Sequence, residues 1–311
     1  MNPSSPSRPS VSVVVPTRGR RELLEKCLRS LLEQQYPREL YEVVVVEDGT
    51  DDARVVTESL RQDGLPVTYL RAPHGGAAST YDLGLDHARC EIVAFIDDDA
   101  IASANWLQNL ANALVTRRSE GITGVGGRVS PDYPLEDLQA KLSSGGDLIW
   151  TGSNVLVSQP QDVDFLPGAN MAFWRDALMK AGGFDRNFSR TISWRHETDI
   201  CLRVRRNGCR LSYDPGVLVF HRAARWMDPI ERVRPGIVSA MIRDDAYFRA
   251  KNFGWAGVGG AIKAALRDSR KRIVIGTANL LLAVLHLVAW VPGAWKGLRR
   301  KNRQYGTLPP E

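Results

Sequence analysis

With 311 residues the chain is long enough for one large domain or two small ones, and its hydrophobic content of 43% and charged content of 24% predict a globular protein with a substantial core. The net charge of +6 gathers in two basic clusters, residues 267–272 and 296–303, which could contact anionic lipid or nucleic acid or simply face solvent. The four cysteines form no CxxC pair, so neither a zinc site nor a redox dithiol is indicated.

The first third of the chain alternates strands and helices. Residues 1–10 contain no apolar signal-peptide core and predict a disordered tail on a chain that stays in the cytoplasm. Near-continuous apolar strands that alternate with helices indicate an α/β fold, with a mostly parallel central sheet and helices on both faces. The predicted strands are Val11–Val15, Tyr41–Val46, Val67–Leu70 and Glu91–Ile96, and the predicted helices are Arg20–Gln35, Asp51–Gln62 and Gly75–Ala88.

Polar or turn-forming residues follow each of these strands. In parallel sheets, ligands bind beyond the carboxyl ends of the strands, so these residues are expected to line one edge. They are Pro16-Thr17-Arg18, Glu47-Asp48-Gly49, Arg71-Ala72-Pro73 and Asp97-Asp98-Asp99.

The acidic triplet Asp97-Asp98-Asp99 needs a compensating positive charge. Two carboxylates at about 4 Å repel by about 4 kcal/mol at an effective dielectric near 20. Asp97 and Asp99 flank one residue and could aim at one point, where their oxygens would suit Mg²⁺ or Mn²⁺. The alternative is the N-terminus of a helix with spare acids.

The middle of the chain is less regular. A helix is predicted at Ser103–Arg117 with Ser103 as its N-cap, then a strand at Ile122–Val129 and a loop-rich insertion over the site at 131–164. Residues 165–188 predict a strand, turn, strand, short helix and turn. A helix at Glu197–Arg206, strands at Arg210–Tyr213 and Val217–Phe220, and helices from Pro229 onward complete the prediction.

Residues Ile273 to Val291 form a mostly apolar run with basic flanks. About 20 apolar residues can span a bilayer. Three interpretations remain open: a membrane-spanning helix, a helix in the membrane surface, and a buried helix in a homo-oligomer. Membrane association is favoured, because the basic clusters would then contact anionic lipid head groups. No nucleic-acid partner is expected.

Several motifs at matching spacing resemble a family-2 glycosyltransferase with the GT-A (nucleotide-diphospho-sugar transferase) fold. Three motifs resemble the nucleotide-binding half of that family: "VSVVVPTRGR", "VVVVEDGTDD" and "FIDDDA". Two further motifs resemble its acceptor half: "PGANMAFWRDALMKAGGFD" and "HETDICLRVRRNG". The resemblance covers about residues 11–222. It implies a catalytic domain at 11–225, with a nucleotide-sugar half (11–99) and an acceptor half (100–225), and a helical, membrane-associated extension at 226–311.

The resemblance also implies roles for individual residues in the nucleotide half. Asp97 and Asp99 match the DXD motif as metal ligands for Mg²⁺ or Mn²⁺, and His221 stands where some members supply a further ligand, although a lone histidine is more often structural. The residues expected to bind the nucleotide are Pro16, Thr17, Arg18, Glu47, Asp48, Arg71, Asp97 and Asp98.

In the acceptor half, Glu197 falls at the position of the catalytic base, and Asp199 is expected to orient or brace the site. Both acids could also stabilise the first turn of a helix. Gly168 and Asn170 are expected to line the acceptor side, and Trp194 could stack on a sugar ring or pack in the core.

The resemblance implies an inverting, metal-dependent glycosyltransferase at the cytoplasmic face of the membrane. It would move a sugar from a nucleotide-diphospho-sugar to a hydroxyl of a lipid-linked saccharide or polysaccharide precursor. Two alternatives are a nucleotidyltransferase that acts on a sugar phosphate, which should have a basic, glycine-rich loop after its first strand, and a non-catalytic nucleotide-sugar-binding membrane protein.

Overall fold

A computed structural model of the chain describes residues 8–130, 140–144, 146, 148–150, 159–221, 235–260 and 291–300. The strands are β1 Val11–Thr17, β2 Tyr41–Asp48, β3 Val67–Ala72, β4 Ile92–Ile96, β5 Ala100–Ala102, β6 Ile122–Ser130, β7 Ala140–Leu142, β8 Leu148–Trp150, β9 Gln161–Val163, β10 Asn170–Trp174 and β11 Arg210–His221. The helices are α1 Arg21–Leu32, α2 Ala53–Gln62, α3 Ala77–His87, α4 Trp106–Thr116, α5 Arg175–Lys180, α6 His196–Arg206 and α7 Pro235–Phe253. Residues 255–260 and 291–300 are also helical.

Within these ranges, nine strands form one mixed sheet in the order β3-β2-β1-β4-β10-β6-β11-β5, and β9 also pairs with β11, on the edge opposite β6. The first four strands in this order are parallel, as the sequence predicts. Strand β10 runs antiparallel to both β4 and β6, and its register pairs Asn170 with Ile96. Strand β5 pairs antiparallel with β11, so that His221 lies opposite Ala100, next to the acidic triplet.

Valine-rich strands and amphipathic helices build the core. Val13, Val14 and Val15 of β1 have no exposed surface, because helices cover both faces of the sheet. Helix α3 packs closely on this strand through Gly84, where a Cβ atom would stand 2.3 Å from Val14 Cγ1. The parallel half of the sheet is therefore closely packed, and this packing fixes the position of its carboxyl edge.

Two local expectations were wrong. Helix α4 begins at Trp106 after Asn105, not after Ser103, whose carbonyl accepts the Trp106 N–H at 2.9 Å. The two strands predicted at 210–213 and 217–220 are one strand, β11, because a register shift between Asp214 and Leu218 absorbs the intervening residues without ending it.

Two other expectations fall partly outside the described residues. Of the insertion at 131–164, the structure describes β7, β8 and β9 and their immediate neighbours. Of the apolar run 273–291, it describes only Val291. Among the helices that are described, none combines the length and the apolar character needed to cross a bilayer.

Candidate functional site

Asp97, Asp99 and His221 converge at the carboxyl edge of the sheet. Each offers one ligand atom, and the three atoms lie within 4.8 Å of one another. The His221 Nε2 atom is 3.0 Å from Asp99 Oδ1 and 3.7 Å from Asp97 Oδ2. The histidine comes from the end of β11, and the pairing of β11 with β5 carries it to this place. Two carboxylates and one imidazole are a ligand set that suits a divalent cation.

The buried atoms of this cluster fit a bound cation. Asp99 Oδ1 and His221 Nε2 are both buried and lie 3.0 Å apart, and among the described residues neither atom has hydrogen-bond geometry to any group. A buried polar atom without a partner costs free energy, and metal coordination would remove that cost. Burial lowers the pKa of His221, but the neighbouring carboxylates of Asp97 and Asp99 outweigh burial and raise this pKa to about 10. The carboxylates thus hold a positive charge at this point even without a metal.

Arg20 supplies the compensating charge that the triplet requires. Its Nε atom donates to Asp98 Oδ2 at 3.0 Å, its Nη1 atom donates to Asp99 Oδ2 at 3.0 Å, and its Nη2 atom contacts Asp98 Oδ1. Thr17 Oγ1 donates a further hydrogen bond to Asp98 at 2.6 Å. The sequence analysis missed Arg20. The basic loop "PTRGR", which follows β1, was the signal that could have identified it.

A cavity of about 410 Å³ lies beside the metal-ligand cluster. It brings together most of the residues that the resemblance pointed to from both halves of the chain. They are Pro16, Thr17, Arg18, Asp48, Asp97, Asp99, Gly168, Trp194 and Glu197. The donor-side carboxylate of Asp48, the two carboxylates of the metal-ligand cluster and the carboxylate of Glu197 from α6 therefore share one cavity.

Glu197 is in the first turn of α6, and its side chain is 30% exposed. Its Oε2 atom is 3.1 Å from His196 Nδ1. Burial lowers the pKa of His196, but the Glu197 carboxylate outweighs burial and raises this pKa. The hydroxyl of Tyr81 lies 3.1 Å from Asp97 Oδ1 and 3.3 Å from the Gly168 carbonyl oxygen, so it joins the metal ligand to the wall that holds Glu197.

The donor side is built around Asp48. Its Oδ1 atom accepts the backbone N–H of Gly75 at 2.7 Å and of Gly76 at 3.3 Å, and its Oδ2 atom is 2.7 Å from His74 Nδ1. These bonds fix the turn that leads into α3. The carboxylate is therefore held at the cavity wall by its backbone partners.

Three residues expected to bind the nucleotide do not line the cavity that the described residues enclose. Glu47 is fully buried and accepts the backbone N–H groups of Asp52 and Ala53, so it caps α2. Asp98 is also fully buried, behind Arg20 and Thr17, and burial raises its pKa to about 7. Arg71 points along the surface and donates to the Thr50 carbonyl at 2.9 Å.

Asn170, expected on the acceptor side, is a buried structural residue. Its Oδ1 atom accepts the Trp106 indole N–H at 2.9 Å, and its Nδ2 atom donates to the carbonyls of Arg128 and Val217 at 3.0 Å each. Both of its amide N–H groups and its amide oxygen thus form hydrogen bonds that link β10 to α4, β6 and β11. Asn170 does not line the cavity that the described residues enclose, and its acceptor role stays a prediction.

Asp199, expected to help Glu197, points away from the cavity. It is fully buried and is 2.8 Å from both Lys251 Nζ and Arg203 Nε. Asn252 Nδ2 donates to it at 2.8 Å as well. The side chains at 197 and 199 lie on different faces of α6, because successive helical residues are rotated by about 100°. Asp199 therefore anchors α6 to α7 and does not reach the site.

Comparison with protein families gives a direct match. Residues 12–182, more than half of the chain's 311 residues, match the model of Glycosyl transferase family 2. The "Pre-mycofactocin glycosyltransferase" of Mycobacterium tuberculosis is 30% identical over 227 residues, which are 70% of this chain and 44% of the relative. The "Glucosyl-dolichyl phosphate glucuronosyltransferase" of Haloferax volcanii is 28% identical over 220 residues, which are 68% of this chain and 69% of the relative. The match thus spans less than half the length of the mycobacterial relative.

Solved structures with low sequence identity share the fold. The mannosyltransferase PcManGT from Pyrobaculum calidifontis, solved with GDP-Man and Mn²⁺, has a TM-score of 0.57 at 20% identity and covers 94% of this chain and 87% of its own. GalNAc-T7, solved with UDP, GalNAc and Mn²⁺, has a TM-score of 0.60 at 16% identity and covers 79% of this chain and 51% of its own. These likenesses confirm the predicted GT-A fold.

Proposed function

The chain belongs to glycosyl transferase family 2, and on that premise we propose that it moves a sugar from a nucleotide-diphospho-sugar to an acceptor hydroxyl, with inversion at the anomeric carbon. The observation that carries this proposal is one cavity lined by Asp97 and Asp99 of the metal-ligand cluster and, from α6, by Glu197. Such a cavity offers a place for a charged leaving group and a base for the attacking hydroxyl.

Charge in the cavity favours a diphosphate. Among the described residues, four arginines line it: Arg18, Arg20, Arg190 and Arg195. Arg20 is engaged by Asp98 and Asp99, and Arg195 by Asp245. Arg18 and Arg190 are exposed and supply the positive charge that a donor diphosphate requires.

Asp97, Asp99 and His221 would hold Mg²⁺ or Mn²⁺. When bound, the cation compensates the negative charge that develops on the departing diphosphate. Tyr81 keeps Asp97 oriented through its hydroxyl, and Arg20 fixes the second oxygen of Asp99. The protein therefore holds this cluster rigidly before the donor arrives.

Glu197 acts as the general base in this proposal. Its carboxylate accepts the proton of the acceptor hydroxyl while the acceptor oxygen bonds to the anomeric carbon. The bond between that carbon and the phosphate oxygen breaks, and its electron pair leaves with the nucleoside diphosphate. Attack from the face opposite the leaving group inverts the anomeric carbon. Trp194, half-buried at the cavity wall, offers an aromatic face for the acceptor sugar.

The acceptor is proposed to be a lipid-linked saccharide or polysaccharide precursor. Support comes from two similar proteins, the glucosyl-dolichyl phosphate glucuronosyltransferase and the Campylobacter jejuni "GalNAc(5)-diNAcBac-PP-undecaprenol beta-1,3-glucosyltransferase". We also propose that the protein associates with the cytoplasmic face of the membrane through the apolar run 273–291 and its basic flanks. Recovery of the full-length chain entirely in the soluble fraction of a low-salt lysate would contradict that association.

Product analysis tests the reaction. The full-length chain is incubated with each nucleotide-sugar in turn, with Mn²⁺ or EDTA, and with lipid-linked and free saccharides. The proposal predicts release of a nucleoside diphosphate that requires both an acceptor and the metal. Release of pyrophosphate from a nucleoside triphosphate and a sugar phosphate would instead identify a nucleotidyltransferase. Metal-dependent binding without turnover of any donor would indicate a binding protein.

A further inference from the structure

The segment that leads into α6, residues 189–195, is called the base loop because Glu197 is the second residue after it. Arg190 to Arg195 of this loop line the cavity. Two residues of the base loop have positive φ angles although neither is a glycine: φ is 50° at Ser193 and 74° at Arg195. Such conformations are strained for residues with a side chain and persist only where the surroundings impose them. Contacts from neighbouring elements must therefore impose the conformation of the base loop.

Asp244 of α7 binds both ends of the base loop. Its Oδ1 atom accepts the Ser189 N–H at 2.8 Å. Its Oδ2 atom accepts the Ser189 hydroxyl at 2.7 Å and the Trp194 N–H at 2.8 Å. The residue is only 3% exposed, and burial raises its pKa to about 6. Both oxygens act as acceptors, so an amide side chain at this position would point an N–H group at a donor.

Asp245, the next residue of α7, holds the strained Arg195. Its Oδ1 atom accepts Nε of Arg195 at 2.8 Å and Nη2 at 2.6 Å. Its Oδ2 atom accepts Nε of Arg249 at 2.7 Å, which fixes the carboxylate from within α7. Arg195 is 7% exposed, so this pair is largely shielded from water.

The opposite side of the base loop rests on the start of α3. Ala78 N–H donates to Ser193 Oγ at 3.2 Å. At Gly76, which has a φ of 80°, a Cβ atom would stand 2.7 Å from the Arg190 Cα atom. The base loop is thus packed between the donor half of the domain and α7, and the backbone at its end leads directly into Glu197.

We propose that Asp244 is a positioning residue, which holds the base loop and thereby sets the place of Glu197 and Trp194 in the cavity. Helix α7, which lies beyond the family match at 12–182, then belongs to the catalytic apparatus. This inference rests on the proposed role of Glu197. Asp244 itself does not line the cavity that the described residues enclose, so it acts through the loop.

The test compares Asp244→Asn with the full-length parent protein in two measurements. The first is hydrogen exchange, which needs no enzymatic activity. Exchange in residues 189–195 should rise by at least about tenfold, since at least one of the two loop amides loses its acceptor, while exchange in β1 to β4 stays unchanged. The second is steady-state transfer, in which kcat should fall about 10–100-fold because the base is displaced. Affinity for UDP and GDP with Mn²⁺ should stay within about twofold.

Ser189→Ala, which removes one of the three hydrogen bonds, should change both measurements in the same direction and by less. Asp63→Asn, at a carboxylate 48% exposed and 3.9 Å from Arg29, is the matched control and should change neither. Faster loop exchange with an unchanged kcat would overturn the proposal, and so would unchanged loop exchange. A variant that loses nucleotide binding along with kcat would also contradict it, since that indicates general damage. If the parent protein transfers no sugar, the proposed function fails, and the exchange data still decide whether Asp244 holds the loop.

Discussion

Gly168 lies directly against Glu197. A Cβ atom on Gly168 would stand 2.6 Å from Glu197 Oε1 and 2.8 Å from its Cγ atom. No φ in the left-handed region requires glycine at this position, so the absence of a side chain serves the close approach. The glycine of the "PGAN" motif therefore leaves the space in which the proposed base sits.

Gly168→Ala is expected to displace the Glu197 carboxylate and leave the fold intact, because the obstructed atoms belong to a partly exposed side chain. A displacement of about 1 Å at a reacting group can cost about 100-fold in rate. We expect kcat to fall by 10–100-fold with donor affinity unchanged, measured by steady-state transfer and calorimetry. Gly259→Ala, where a Cβ atom meets nothing within 4 Å, is the control. Equal activity of the two variants would show that the close approach does not matter.

Tyr81→Phe tests the link between the metal-ligand cluster and the base wall. The hydroxyl lies 3.1 Å from Asp97 Oδ1, and removal of a group that orients a metal ligand typically costs 10–100-fold in metal affinity. We expect a loss of about that size for Mn²⁺ in titration calorimetry. Tyr41→Phe removes a buried hydroxyl that donates to the Leu31 carbonyl, remote from the site, and should leave Mn²⁺ affinity unchanged. If the Tyr81→Phe variant binds Mn²⁺ with the affinity of the parent protein, the Tyr81 hydroxyl does not help to orient Asp97 for the metal.

Lys251→Met tests the anchor between α6 and α7. Lys251 is 1% exposed, and its Nζ atom is 2.8 Å from both Asp185 and Asp199. Removal of one partner from a buried ion pair typically destabilises by about 3–5 kcal/mol, because the remaining charge is left uncompensated. We expect a decrease of that size in the free energy of unfolding in urea. If the free energy of unfolding decreases by less than about 1 kcal/mol, the ion pair stabilises no more than an exposed pair does, which would contradict the prediction.

The same cluster predicts a dependence of stability on acid. Burial raises the pKa values of Asp185 and Asp199 in the folded protein, but the nearby Lys251 ammonium outweighs burial and lowers them. The unfolded chain then binds protons more readily, so this stability is present above the unfolded pKa of about 3.9 and is lost as the pH falls through the folded values. Urea denaturation between about pH 5 and about pH 2 should show a steeper loss of stability for the parent protein than for Lys251→Met. Parallel curves would contradict the assignment.

The sequence predicted the parallel half of the sheet well because its valine strands and amphipathic helices are periodic over short distances. It also predicted the residues at strand ends that reach the cavity, such as Thr17 and Asp97. It did not predict the partners that a polar residue finds far along the chain. Asn170 bonds to Trp106 and Val217, and Asp199 to Lys251, and local patterns do not contain that information. Glu47 is different, because it caps the helix that follows its own strand.

Transfer by Glu197→Gln, measured at saturating donor with Mn²⁺, tests the central claim most directly. The amide keeps the size of the side chain and removes the group that accepts the proton. The account predicts donor affinity equal to that of the parent protein and a transfer rate lower by about 100-fold or more. A variant that binds donor normally and transfers sugar at the parental rate would contradict the assignment of Glu197 as the base.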